Sequence, residues 1–110
     1  MMDDQQTAPA MVMTVLEARV AEAYWPRLRQ AFEDAAAQLP AQIVQSFLVQ
    51  GADDPALWRV VTVWRSREAL TEYRRSVEVA GGVLMFRAVE AEPTLAIFDV
   101  AVHAGLSSSE

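Results

Sequence analysis

The 110-residue chain contains no cysteine. Disulfide staples, thiolate nucleophiles and zinc–thiolate sites are therefore excluded. It contains no lysine either. All nine basic residues are arginine, set against fifteen acidic ones, for a net charge of −6 at pH 7. A nucleic-acid backbone is bound through lysine and arginine in excess, so no nucleic-acid partner is expected. The single histidine, His103, stands close to the C-terminal end. Metal sites need several converging imidazoles or carboxylates, and one terminal histidine with scattered glutamates does not supply them. No metal and no cofactor are expected. No apolar run approaches the roughly 20 residues of a membrane-spanning helix, so no membrane partner is expected. The opening "MMDDQQTAPA" is acidic and polar, unlike a secretory leader, and the expected compartment is the cytoplasm. Glycine is scarce, and the pair Gly81-Gly82 lacks the flanking pattern of a phosphate loop. It reads as the end of a helix.

Hydrophobic residues make up 53% of the chain, enough for a core. A chain of this length forms one domain, expected over residues 11–104, with loosely ordered tails at 1–10 and 105–110. "MVMTVLEARV" (11–20) alternates and is β-rich, so it reads as a first strand. Pro26 suits a first helical turn. Leu28, Phe32, Ala35, Ala36 and Leu39 then recur at helical spacing, giving a helix from about Ala23 to Gln38, stopped by Pro40. "IVQSFLVQ" (43–50) and "LWRVVTVW" (57–64) are strands joined by the turn-forming "GADDPA". Ser66 is the expected N-cap of a second helix carrying Leu70, Tyr73 and Val77 inward. A short third helix is expected over Val83–Val89 and a last strand over Thr94–His103. The order β-α-β-β-α-(α)-β is the split plan of the α+β ferredoxin-like fold, a four-stranded antiparallel sheet with helices on one face.

Both faces of these strands are apolar. Trp58, Val60, Thr62 and Trp64 oppose Val61 and Val63, and Val12, Leu16 and Val20 oppose Met11, Met13 and Val15. Two helices cover one face, and the other needs a partner. A second copy packed about a two-fold axis is the simplest cover. A homodimer burying Val61 and Val63 is expected.

The stretch "WRVVTVWRSREALTEYRRS" (58–76), with "DDP" before it and a short helix and last strand after it, resembles the antibiotic biosynthesis monooxygenase superfamily. The resemblance covers about Val12 to Val102 and implies a dimeric α+β barrel. Its members include cofactor-free quinol-type monooxygenases and haem-degrading monooxygenases. The haem-degrading pattern has an asparagine in strand one, a tryptophan in helix two and a histidine after it. Those positions fall on Ala18, Tyr73 and Val83, so haem ligation is not expected.

In the cofactor-free branch the deprotonated phenol or quinol reduces oxygen itself, and the protein supplies an apolar pocket and hydrogen bonds. The resemblance makes Tyr73 and Arg87 the candidate catalytic residues, as hydrogen-bonding group and anion stabiliser. Thr14, Trp58, Trp64 and Phe86 are the candidate substrate-binding residues, for a small aromatic ligand. Each has a plainer alternative: Trp64 and Tyr73 as core, Arg87 paired with a carboxylate such as Glu90. Two further readings stay open, a non-catalytic ligand-binding or stress-type barrel dimer and a partner-binding scaffold. An enclosed pocket with an inward polar group, a pocket without one, or a filled core separates the three.

Overall fold

The computed structural model describes residues 10–105. The tails expected at either end lie almost wholly outside that range. Strand β1 spans Val12–Arg19, β2 Ile43–Gln50, β3 Leu57–Trp64 and β4 Thr94–Asp99. They form one antiparallel sheet in the order β2-β3-β1-β4. Helix α1 spans Trp25–Ala36, α2 Arg67–Ser76 and α3 Gly81–Arg87. The architecture is ferredoxin-like α+β.

Alternation decides which strand residues are buried. Val12, Thr14, Leu16 and Ala18 of β1 are buried, as are Trp58, Val60, Thr62 and Trp64 of β3. The helices cover this face. Leu28 of α1 and Phe86 of α3 join Leu16, Ala18, Trp58 and Val60 in the larger core cluster. Leu70 of α2 packs with Val12 and Trp64 in a smaller one. A fully buried Leu or Phe side chain contributes about 1.5–3 kcal/mol.

The other face has no cover within the described chain. The pairings Phe47↔Val61, Met13↔Val63 and Met13↔Phe98 place these residues there together. Phe47 is 44% exposed and Phe98 53%. An ion pair at 2.7 Å between Arg59 and Glu17, directly opposite on β3 and β1, lies on the same face.

Several boundaries differ from expectation for local reasons. The first helix opens with a 3-10 turn at Glu22–Tyr24 and becomes α-helical at Trp25, with Pro26 inside the first turn, where its missing N–H is harmless. Ser66 caps α2 as expected, its hydroxyl accepting from the Ala69 N–H at 3.0 Å. That helix stops at Ser76, whose hydroxyl donates to the Tyr73 carbonyl at 2.7 Å. Val77 is already extended (φ −131°), so it lies beyond the helix, although it still faces the covered side. Gly81-Gly82 does not end α2; it begins α3. A Cβ at Gly82 would lie 2.6 Å from Leu16 Cδ1, so the absent side chain lets α3 settle onto β1. β4 ends at Asp99 rather than at residue 103, because its partner β1 starts at Val12, opposite Asp99. Only the Val100 N–H to Met11 carbonyl bond, 3.0 Å, extends the pairing.

Helix α3 closes with two reverse bonds, Ala91 N–H to the Phe86 carbonyl and Glu90 N–H to the Arg87 carbonyl, both 3.0 Å. This is the Schellman arrangement, and Glu90 takes its left-handed position at φ 61°. The motif's usual apolar contact is present, since Phe86 and Ala91 are both buried in the larger cluster.

Candidate functional site

A cavity of about 530 Å³ lies between the helix-covered face of the sheet and the end of α1, α2, the 77–80 segment and the start of α3. Its size suits a small molecule of a few fused rings. The sheet floor contributes Thr14, Leu16, Val60, Thr62 and Trp64, with Ile43 and Ser46 from β2. Phe32 and Leu39 close the α1 side, and Tyr73, Val77 and Val83 the other. Charge is confined to the exposed Asp34, Arg74 and Glu78.

The polar groups inside are arranged rather than scattered. Trp64 Nε1 donates to Thr14 Oγ1 at 2.9 Å, a buried bond across 50 residues of sequence. Ser46 Oγ and Thr62 Oγ1 are hydrogen-bonded at 2.9 Å. Tyr73 stacks on Trp64 with ring centroids 5.0 Å apart and planes at 44°. A tilted aromatic pair of this kind contributes about 0.5–1.5 kcal/mol beyond area burial. The Tyr73 hydroxyl accepts the Gly81 N–H at 2.9 Å and so ties α2 to the start of α3.

Of the six candidate residues, Thr14, Trp64 and Tyr73 meet at this cavity. The other three do not. Trp58 shares a face with Trp64 but stands six residues away, about 20 Å along an extended strand. One pocket of this size does not reach both. Trp58 instead packs on Trp25, centroids 5.9 Å apart, beneath the Arg29 guanidinium, and borders a shallower hollow. Its buried Nε1 has no hydrogen-bond partner.

Phe86 is fully buried in the larger core cluster and does not line this cavity. Arg87 is not at the pocket edge. Phe86, in the last turn of α3, turns into the core, and Arg87, one position on, turns out to solvent. The reversal of the chain at Glu90 then brings Glu92 back to it. Arg87 Nε and Nη2 each donate to a Glu92 carboxylate oxygen at 3.0 Å. This pairing raises the Arg87 pKa and lowers that of Glu92. The carboxylate partner is Glu92, not Glu90.

Ser46 and Thr62 were missed by sequence reasoning. Thr62 was within reach: it lies two residues before Trp64 and so on the same face. Ser46 required the hairpin register, which pairs it with Thr62.

Of the three positions that the resemblance matched to the haem-degrading pattern, Ala18 is buried in the core, and Tyr73 and Val83 are on the cavity wall. None offers an axial imidazole. His103 is exposed beyond β4. These residues do not fit haem. Among the described residues, no group of three His, Cys, Asp or Glu side chains is placed to hold a metal ion. No helix among them is long and apolar enough to cross a membrane.

Solved structures share this architecture at low sequence identity. SnoaB of Streptomyces nogalater, a cofactor-independent oxygenase, superposes with a TM-score of 0.65 at 18% identity, covering 86% of this chain and 96% of its own. A heme-degrading protein of Mycobacterium tuberculosis gives 0.62 at 22% identity, covering 87% and 98%. A conserved protein of unknown function from Bacteroides thetaiotaomicron gives 0.66 at 16% identity, covering 84% and 100%. At these identities the likeness establishes the fold alone. A search of curated proteins finds no match. The family model for antibiotic biosynthesis monooxygenase matches residues 11–83, from the first sheet strand through the cavity wall at the start of α3, and the chain belongs to that family.

Proposed function

We propose that this protein is a cofactor-independent oxygenase acting on an electron-rich phenol or quinol held in the cavity. The observation that carries the reading is the combination found there: apolar walls and a Trp64–Tyr73 stack on the lining. An enclosed apolar cleft with a few placed polar groups is the usual form of a small-molecule site. The family and the fold shared with SnoaB agree with it.

In this scheme the substrate is its own reductant. The phenol loses its proton towards solvent at the mouth, where Asp34 and Glu78 are the carboxylates. The phenolate passes one electron to dioxygen, and the two radicals combine at a ring carbon bearing hydrogen. Loss of water then leaves a carbonyl at that carbon. One oxygen atom enters the product and the other leaves in water, with the ring C–H and phenol O–H hydrogens. Tyr73 hydrogen-bonds the phenolate, and Trp64 holds the ring plane. The assembly is a homodimer joined through the open sheet face, with Val61, Val63, Phe47 and Phe98 at the contact.

One observation favours a second reading, a non-catalytic binder of the same ligands. The only charged groups on the cavity lining are exposed, and Arg87 lies outside it. Oxygen uptake with 1,4-dihydroxynaphthalene separates the two. Acceleration over the uncatalysed rate that falls in Tyr73→Phe supports the oxygenase. Saturable binding without acceleration supports the binder.

A further inference from the structure

Thr14 of β1, Thr62 of β3 and Ser46 of β2 are direct neighbours in the sheet register, Thr14↔Thr62 and Ser46↔Thr62. They make a line of hydroxyls across three strands on the cavity floor. Thr14 and Thr62 are the only buried polar side chains among the described residues, 8% and 7% exposed. Packing alone does not call for threonine: valine has nearly the same shape, and the neighbours on this face are Val12, Leu16, Val60 and Trp64, although Thr14 also serves the fold as acceptor for the buried Trp64 Nε1–H. Burying a hydroxyl is unfavourable unless it is hydrogen-bonded, and the bonds present leave donors unspent. Thr14 Oγ1 accepts from Trp64 Nε1, so its own proton is not used in that bond. In the Ser46–Thr62 pair one hydroxyl donates to the other, and the acceptor's proton is left over. A hydroxyl that accepts is polarised towards donating.

We infer that this row is the specificity-determining element of the cavity and that it reads a ring carrying two acceptor oxygens para to one another. The inference rests on the cavity being the ligand site. The Cα atoms of paired residues on adjacent antiparallel strands stand about 4.5–5.5 Å apart, so side chains rising from them are spaced on the scale of two oxygens across one six-membered ring. Thr14 meets one oxygen and the Ser46–Thr62 pair meets the other. A para-quinone, or the quinol from which it forms, satisfies both. A hydrocarbon of the same shape satisfies neither and leaves the donors buried.

The test uses 1,4-naphthoquinone and naphthalene as probes, with binding to the full chain followed by NMR through the Trp64 indole N–H. The quinone is expected to bind tighter than naphthalene. Thr62→Val and Thr14→Val are expected each to weaken quinone binding about three- to tenfold, the size of one net hydrogen bond, and to leave naphthalene affinity unchanged. Thr62→Ser, which keeps the hydroxyl, restores quinone affinity. If both probes bind the wild type and both valine variants equally, the hydroxyl row reads nothing and the inference fails while the cavity reading stands. If neither probe perturbs Trp64, both fail. If a valine variant loses affinity for both probes alike, the residue acts through packing and the inference is overturned.

Discussion

Replacing Tyr73 with phenylalanine removes one oxygen atom and separates its two roles. The ring stays on Trp64, 5.0 Å away, so the stacking contribution is kept. The bond from the Gly81 N–H, 2.9 Å long, is lost. That N–H belongs to the first turn of α3, where no intrahelical partner exists, and Gly81 is exposed, so water replaces the tyrosine oxygen. The stability cost therefore falls at the low end for a hydrogen bond, about 0.5–1 kcal/mol. With a urea m-value of about 2 kcal/mol/M, the unfolding midpoint drops by about 0.3–0.5 M. Catalysis should respond more strongly. A hydrogen bond to an anion formed on the way to the transition state contributes about 1.5–3 kcal/mol, so kcat/KM for a quinol should fall roughly ten- to a hundredfold. Urea denaturation and oxygen-electrode kinetics on the same preparations measure the two effects. A variant with the expected midpoint shift and unchanged kcat/KM would refute the catalytic role and leave Tyr73 as a tie between α2 and α3.

Gly82→Ala should destabilise the fold by about 1–3 kcal/mol, because the new methyl meets the buried Leu16 side chain at 2.6 Å; a midpoint within error of wild type would show that Leu16 simply rotates away. Val61→Asp should shift the sedimentation profile from dimer to monomer at micromolar concentration, since an unpaired charge in an apolar contact is strongly unfavourable; an unchanged profile, or a monomeric wild type, contradicts the proposed interface. Hydrogen bonds from Arg19 and Arg87 hold Asp54 and Glu92 below their ordinary carboxylate values. Their stabilising contribution is present above the unfolded-state pKa and disappears as pH falls through the lowered folded values. Carbon-detected NMR titration should show these two carboxylates protonating below their ordinary values, with the shift shrinking in salt because both pairs are exposed.

Strand and helix periods were enough to bring Thr14, Trp64 and Tyr73 together, because a period of two fixes the face of β1 and β3 and a period of 3.6 fixes that of α2. Faces are local properties; distance along an element is a separate one. Trp58 was grouped with Trp64 by face alone, although six residues of extended chain separate their ends of β3. Phe86 and Arg87 were grouped with the cavity by their closeness to Val83, and they stand at the other end of α3 from it. Gly81-Gly82 has the composition of a helix terminator, and only the packing of Gly82 against Leu16 reveals it as a helix start. The cavity takes Gly81, Gly82, Val83 and Met85 of α3, while Phe86 turns into the core and the reversal at Glu90 brings Glu92 to Arg87. The Ser46–Thr62 pair depended on a hairpin register that carries a bulge between Ile43 and Gln45, which simple alternation along β2 does not anticipate.

Thr62 and Val61 are consecutive residues of β3 on opposite faces, one lining the cavity and the other on the uncovered side. A ligand resting on the first and a second copy resting on the second would act on the two ends of a single peptide unit. Any displacement of that unit by one occupant is felt by the other. Thermodynamic linkage makes such an influence reciprocal: if a bound aromatic tightens self-association by some factor, self-association tightens the aromatic by the same factor. Ligand affinity measured across a range of protein concentrations would therefore report the dimer equilibrium, and β3 would serve as a wall shared by two binding events.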